Sequence, residues 1–171
     1  MNKKKRLFVD MDGTLARFHD EVRYLERMYE DGFFLQLNPF LSVVEAVDEL
    51  ALNPDLEVYI LSSCVTEKCK EEKLAWVNRY LSNIPSDRCV LVDVGCNKAL
   101  CFGRPLSAND YLLDDYNVNL GDWQAAGGHA IKLVNNINHK GMFGPLWKGE
   151  CCYEADVAEK IKEDLLKIIF G

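Results

Sequence analysis

Five short, nearly continuous apolar runs punctuate this chain, and longer amphipathic stretches separate them. The runs are Leu7–Val9, Leu56–Leu61, Cys89–Val92, Tyr111–Leu113 and Ala130–Val134. A strand that is apolar on both faces must be covered on both faces, as in a parallel sheet with helices above and below it. Between the runs the spacing predicts helices. Leu41–Leu52 places Val43, Val44, Val47 and Leu50 on one side and stops at Asn53-Pro54. Thr66–Leu81 opens on a candidate capping threonine, with Leu74, Val77 and Leu81 at helical spacing. Asn117–Ala126 halts at Gly127-Gly128, and Ala155–Phe170 repeats apolar residues from Val157 to Ile169. Strand–helix alternation of this kind specifies an α/β doubly wound fold with right-handed crossovers. The 171 residues, 49% of them apolar, suit a single domain over residues 1–171.

Two stretches exceed what a minimal α/β unit needs. Residues 16–40 separate the first strand from its crossover helix, with a helix expected over Asp20–Tyr29. Residues 135–148 form a long loop containing Gly141, Gly144 and Pro145. Long segments inside a compact domain are often functional.

Charge and cysteine content bound the partners. With 20 basic and 27 acidic side chains the net charge is −7, which opposes binding to a nucleic-acid polymer or an anionic membrane. A small anionic substrate stays compatible, because a metal ion and one lysine reverse the sign locally. The seven cysteines are an odd number, no signal-peptide pattern precedes Leu7, and no apolar run reaches membrane-span length. The expected location is therefore the reducing cytoplasm. Zinc is the sharper alternative for the thiols. Yet Cys64/Cys69 and Cys96/Cys101 are each separated by four residues, wider than a zinc knuckle, and Cys151-Cys152 has no histidine pair beside it.

The most informative motif is Phe8-Val9-Asp10-Met11-Asp12-Gly13-Thr14-Leu15. It puts two carboxylates two residues apart at the carboxyl end of a strand, where open α/β sheets bind ligands. Gly13 permits a turn, or a close approach, that a Cβ would obstruct. A helix N-cap accounts for Asp12 or Thr14 but not for the whole run. A calcium loop fails because Leu15, Ala16, Arg17 and Phe18 are poor ligands and a strand precedes the motif. Three further residues fall where phosphoryl transfer would use them. Ser62 follows the second run and offers a hydroxyl. Lys98 lies between the third and fourth runs and offers a positive charge. Asp114-Asp115 follows the fourth and offers carboxylates to a divalent ion. Singly, each has an ordinary explanation: a turn, a solvated lysine, a cap on the helix from Asn117. Their shared order carries more weight than any one of them.

That order, Asp-x-Asp-Gly-Thr, then Ser, Lys and Asp-Asp, resembles the four-motif pattern of the haloacid-dehalogenase-like (HAD) phosphohydrolase superfamily, from Phe8 to about Val134. Within it, DMDGTLARF, VYILSSC, AWVNRYL and YLLDDYNVNL resemble the 5'(3')-deoxyribonucleotidase, or cytosolic 5'-nucleotidase, group. The resemblance implies a Rossmannoid three-layer sandwich with a small helical cap, residues 16–40, inserted after the first strand. It implies that Asp10 attacks phosphorus and forms an aspartyl-phosphate. It implies that Asp12 protonates the leaving alcohol and then activates water. Mg²⁺ would be held by Asp10, the Asp12 carbonyl and Asp115, with Asp114 as ligand or support. Ser62 and Lys98 would neutralise the transferring group, with Ser63, Gly13 and backbone N–H groups near Met11 and Asp12 beside the substrate. Phe18 stands where the group places an aromatic against the base. Phe18, Tyr24, Phe33 and Phe34 suit either a base pocket or the buried face of a helical hairpin.

The expected activity is hydrolysis of a small phosphomonoester, such as a nucleoside monophosphate, by a monomer or homodimer. Another phosphorylated metabolite is the alternative. A phosphoacceptor signalling module is a further one, opposed because here the D-x-D comes first and the Asp pair last.

Overall fold

The computed structural model describes residues 4–21, 24–135 and 146–171. Six strands form one wholly parallel sheet: β1 (Lys5–Val9), β2 (Leu56–Cys64), β3 (Cys89–Asp93), β4 (Asp110–Asp114), β5 (His129–Val134) and β6 (Cys151–Tyr153). Their order is β3-β2-β1-β4-β5-β6. The chain therefore builds outward from β1 on one side, then returns and builds outward on the other. β1 and β4 flank the point where the order reverses, the place where sheets of this class open a crevice at their carboxyl ends.

Side-chain alternation sorts the strands' residues into two apolar layers. Leu7, Val9, Val58, Ile60, Leu113, Ile131 and Leu133 face one layer. It is completed by α2 (Leu41–Leu50), α3 (Glu67–Tyr80) and α5 (Ala158–Phe170). Phe8, Leu61, Leu112 and Ala130 face the other, which is covered by α4 (Asn117–Ala125) through Leu120 and Trp123. This is the three-layer α/β sandwich expected from the apolar runs.

Several elements match the sequence reading closely. Thr66 caps α3 by accepting the Cys69 N–H at 3.0 Å. Gly127 ends α4 at φ +94°, a left-handed conformation natural to glycine. Others differ. The buried stripe of α3 is Cys69, Glu72, Lys73, Trp76 and Val77, and Leu74 is only half-buried. The strand β6 was not anticipated. The expected helix over Asp20–Tyr29 is replaced by one α-turn, α1 (Phe18–Glu21), and a 3₁₀ segment, Leu25–Tyr29. None of Leu25–Tyr29 is fully buried and only Met28 packs against the core, too little apolar contact to support a longer helix. The expected 135–148 loop lies mostly outside the described residues.

The described residues of the 17–40 segment are tied to one another and to the body. Arg17 N–H donates to Asn38 O at 2.8 Å, closing the two ends on each other, and Phe40 N–H donates to Leu15 O at 2.8 Å. The Glu72 carboxylate accepts the N–H groups of Gly32 (2.6 Å) and Phe34 (3.2 Å). Trp76 Nε1 donates to Leu37 O at 2.7 Å. Phe33, Phe34 and Leu37 enter the same core as Leu7 and Val9. Among the described residues no helix is long and apolar enough to cross a membrane.

Candidate active site

The pairing of β1 with β4 brings the two acidic motifs together. Val9 sits opposite Leu113, and the Asp10 N–H continues the ladder to Leu113 O at 2.9 Å. Asp10 and Asp114 therefore leave adjacent strands at the same level. One carboxylate oxygen each from Asp10, Asp114 and Asp115 lies within 4.8 Å of the others, and all three residues are buried. Such a set of hard oxygen donors could hold a metal ion, and a hard divalent cation suits it best.

Gly13 makes room for this arrangement. Its φ is +81°, and a Cβ there would meet Asp115 Oδ2 at 2.6 Å and Oδ1 at 2.8 Å. Both reasons anticipated for a glycine thus apply at once. The turn around it is closed by the Met11 carbonyl, which accepts the N–H groups of Thr14, Leu15 and Ala16. The Met11 side chain is fully buried in the core, so any substrate contact would come from its backbone.

Lys98 lies between the two acidic strands. Its Nζ donates to Asp10 Oδ1 at 2.7 Å and Asp114 Oδ2 at 2.8 Å. A 3₁₀ turn, Lys98–Leu100, carries it, opened by Asn97, whose side chain accepts the Ala99 N–H and donates to Asp122 Oδ2 on α4. Burial opposes charge on Lys98, but Asp10 and Asp114 outweigh it and hold the ammonium above its ordinary range. Asp114 is pushed up to about 7, by burial first and by Asp10 next, against the pull of Lys98.

The paired aspartates divide their tasks. Asp114 Oδ1 accepts the Tyr116 N–H (2.8 Å), and Oδ2 accepts both Lys98 and Asn119 Nδ2 (2.9 Å). It braces the approach to α4 through the Tyr116 N–H and the Asn119 side chain but caps no N–H of the helix itself. Asp115 instead abuts Gly13. Its Oδ2 accepts Asn135 Nδ2 at 3.2 Å and lies 3.4 Å from His19 Nε2. The bond to Asp115 raises His19 above its ordinary value, against burial.

The Asp12 carboxylate is not one of the three clustered groups but is turned to Lys73, with Oδ2 2.5 Å from Nζ. Burial lifts Asp12 above the ordinary carboxylate range, Lys73 opposes the rise and Asp10 adds to it. Each carboxylate of the D-x-D turn thus has its own buried lysine, Lys73 for Asp12 and Lys98 for Asp10.

The serine pair also divides. Ser62, expected as the phosphate donor, lies within β2, is fully buried and accepts Lys73 Nζ on its hydroxyl at 3.0 Å. Ser63 is half-buried and, by strand alternation, shares a face with Leu61 rather than with Ile60 and Cys64. Phe18 is 8% exposed, stacked on Phe34 and edge-on to Phe33. The buried-face alternative therefore describes Phe18, Phe33 and Phe34, while Tyr24 is exposed.

Three functional-looking residues escaped the sequence reading, Lys73, Lys132 and Asn135, while His19, whose spacing to the other histidines suggests no site, lies against Asp115. Lys132 Nζ reaches Asp115 O (2.9 Å) and Asn117 Oδ1 (2.5 Å), and burial lowers its pKa. Only Lys132 had an available signal, a lone lysine inside the apolar β5 run. Around the site, four carboxylates (Asp10, Asp12, Asp114, Asp115) face three buried ammonium groups (Lys73, Lys98, Lys132).

No family model matches the sequence, and no curated protein matches it. Solved structures do. The D,D-heptose 1,7-bisphosphate phosphatase of B. bronchiseptica, complexed with magnesium and phosphate, superposes with a TM-score of 0.67 at 15% identity, over 95% of this chain and 99% of that one. The fold is that of the haloacid-dehalogenase-like hydrolases. Two more structures agree. One is a HAD-like hydrolase from Burkholderia xenovorans (TM-score 0.59, 12% identity, 96% of this chain and 99% of that). The other is the magnesium-bound HAD-hydrolase YfnB from Bacillus subtilis (0.57, 10%, 98% and 99%). In the HAD-like fold seen here, the D-x-D turn, the Lys98 turn and the Asp pair all converge at the β1/β4 reversal point.

Proposed function

We propose that this protein is a Mg²⁺-dependent phosphatase of small phosphomonoesters. The observation that carries the reading is Lys98, buried and bonded to Asp10 and Asp114 at the mouth of the β1/β4 reversal, beside the Asp10/Asp114/Asp115 cluster. The donors are all oxygen, and the missing Cβ of Gly13 lets the Asp115 carboxylate close against the D-x-D turn, an arrangement that suits a small hard cation. Asp10 and Asp115 would hold Mg²⁺, joined by the Asp12 carbonyl, while Asp114 supports Lys98. When bound, the ion withdraws charge from phosphoryl oxygens.

The chain's own residues supply the remaining chemistry. An Asp10 carboxylate oxygen bonds to phosphorus as the bond from phosphorus to the alcohol oxygen breaks, and Asp12 gives that oxygen its proton. Water then attacks phosphorus, Asp12 takes back a proton, and the Asp10–phosphorus bond breaks to release phosphate. Lys98 balances charge on the transferring group. Because Ser62 is enclosed with Lys73, Ser63 is the hydroxyl assigned to the phosphoryl oxygens.

A nucleoside monophosphate is the proposed substrate class, supported by the DMDGTLARF, VYILSSC, AWVNRYL and YLLDDYNVNL segments. A phosphorylated sugar is the second reading, favoured by the burial of Phe18 and by the heptose bisphosphate phosphatase likeness. Phosphate release with Mg²⁺ across 5'- and 3'-(deoxy)nucleotides and sugar phosphates tests both. Hydrolysis of nucleotides at least ten times faster than of any sugar phosphate supports the first, and the reverse ranking supports the second. No Mg²⁺-dependent release from any of them overturns the phosphatase assignment.

A further inference from the structure

We propose that Lys73 is the positioning residue for Asp12: it aims the acid's Oδ1 at the reacting oxygen and ties the acid to the 17–40 segment. The inference rests on the phosphatase reading above. Lys73 is fully buried, and its ammonium has three N–H donors. Three acceptors take them: Asp12 Oδ2 at 2.5 Å, Ser62 Oγ at 3.0 Å and Ser63 O at 2.8 Å. With its donors engaged, Lys73 has none left for a phosphate. It can act on the reaction only through the groups it holds, in contrast to Lys98.

What it holds is one half of the Asp12 carboxyl. Oδ2 is engaged by Lys73, whereas Oδ1 is buried with no hydrogen-bond partner among the described residues. A buried carboxyl oxygen without a partner is costly, and such atoms in a native fold call for an explanation. A leaving-group oxygen arriving at Oδ1 supplies the missing partner. The proton then sits on Oδ1 and passes to the alcohol oxygen as that oxygen takes the electron pair of its bond to phosphorus. Without the lysine nothing fixes the plane of the carboxyl toward the leaving oxygen, and misplacement of a reacting group is expensive.

The lysine is itself held in place by the 17–40 segment. The Phe34 ring covers Nζ with its centroid 4.6 Å away. The neighbouring Glu72 carboxylate binds the Gly32 and Phe34 N–H groups, and Trp76, one turn along, binds Leu37 O. One face of α3 therefore grips both that segment and the acid. An exposed lysine could not fix a carboxyl in this way.

The test compares two phosphates with different needs for an acid. An alkyl monophosphate such as glycerol 3-phosphate must have its leaving oxygen protonated, whereas 4-nitrophenyl phosphate releases a stable anion unaided. The constant kcat/KM reports events only up to departure of the alcohol, so the later water attack does not enter. For Lys73→Met, kcat/KM on the alkyl phosphate should fall about 100-fold, within the usual worth of a positioned acid. On the aryl phosphate it should fall by less than about fivefold, with KM little changed on both. Equal losses on the two substrates, or no loss, would overturn the role, since a merely structural lysine does not discriminate leaving groups. Should Lys73→Met fail to fold by circular dichroism, Ser62→Val, which removes one of the three acceptors, carries the test. A shift of at least about threefold in the alkyl-to-aryl ratio supports the role and an unchanged ratio overturns it. Wild-type protein inactive with Mg²⁺ on both phosphates would instead refute the phosphatase reading together with this one.

Discussion

Replacing Gly13 with alanine probes whether the carboxylate cluster is a metal site. Two costs can be read from the geometry. The first is conformational: at φ +81° a residue with a Cβ is strained by about 1–2 kcal/mol. The second is local: the new methyl would stand 2.6 Å from Asp115 Oδ2, so the carboxylate must retreat by about 0.8 Å to reach ordinary contact. Mg²⁺ demands near-ideal octahedral oxygen positions, and displacements on the order of 1 Å cost about 100-fold at reacting sites. Gly13→Ala should therefore weaken Mg²⁺ binding by about 10- to 100-fold. Gly127→Ala is the control, because Gly127 shares the strained backbone (φ +94°) while its nearest atom is Leu106 O at an ordinary 3.7 Å. The assay is thermal unfolding with and without Mg²⁺. At a hundred times its Kd the ion should stabilise wild-type protein by about 2.7 kcal/mol, which raises Tm by about 5–11 °C at this chain length. Gly127→Ala should lower Tm yet keep that increment, and at the same Mg²⁺ concentration Gly13→Ala should retain only about 0.4–1.4 kcal/mol of it. An undiminished Mg²⁺ increment in Gly13→Ala would refute the reasoning.

Two further outcomes are expected. Ser63→Ala should reduce kcat/KM at least tenfold on aryl and alkyl phosphates alike, a loss of phosphoryl stabilisation, whereas Ser62→Ala should act mainly through the leaving-group ratio; matching profiles would undo the division of the pair. Asp110, buried at the start of β4, is held below the ordinary 3.8: burial pushes it up, but Arg104, the Ser107 N–H and hydroxyl, and Arg6 outweigh burial. Its contribution is thus complete above pH 3.8 and lost as pH falls through the depressed value. Asp110→Asn should cost about 3–5 kcal/mol at pH 7, and its urea unfolding curve should converge on wild type in acid. A difference independent of pH would contradict this.

How much could be read from sequence depended on how locally each feature is determined. The three-residue run Leu7-Phe8-Val9 and the acids after it announce a buried strand and its crevice because both signals lie within a few residues. Lys98 was legible only by its order among the other motifs, since its partners are Asp10 and Asp114, distant in sequence. Lys73 was not legible: nothing in EEKLAWV says that its partner is Asp12, and its place on an apolar stripe emerges only once α3 packs against the sheet. Ser62 and Ser63 are indistinguishable by residue type, and strand alternation decides which is sealed. The three-residue β6 has no period to detect and exists through pairing with β5. The Leu25–Tyr29 region had helix-forming residues but only Met28 to pack against the core.

The central place of β1 has a consequence for how the chain is made. Synthesised first, β1 can pair with β2 early, but its other edge stays open until β4 emerges, roughly a hundred residues later. Non-local parallel pairing of this kind is slow, and an open apolar edge invites association with other chains. The run Leu7-Phe8-Val9 is bracketed by Lys4, Lys5 and Arg6 before it and by Asp10 and Asp12 after it. Charges at both ends of an unavoidable sticky strand are gatekeepers against aggregation. During that interval Asp10 and Asp12, still without Lys98, guard the unpaired edge of a strand waiting for its neighbour.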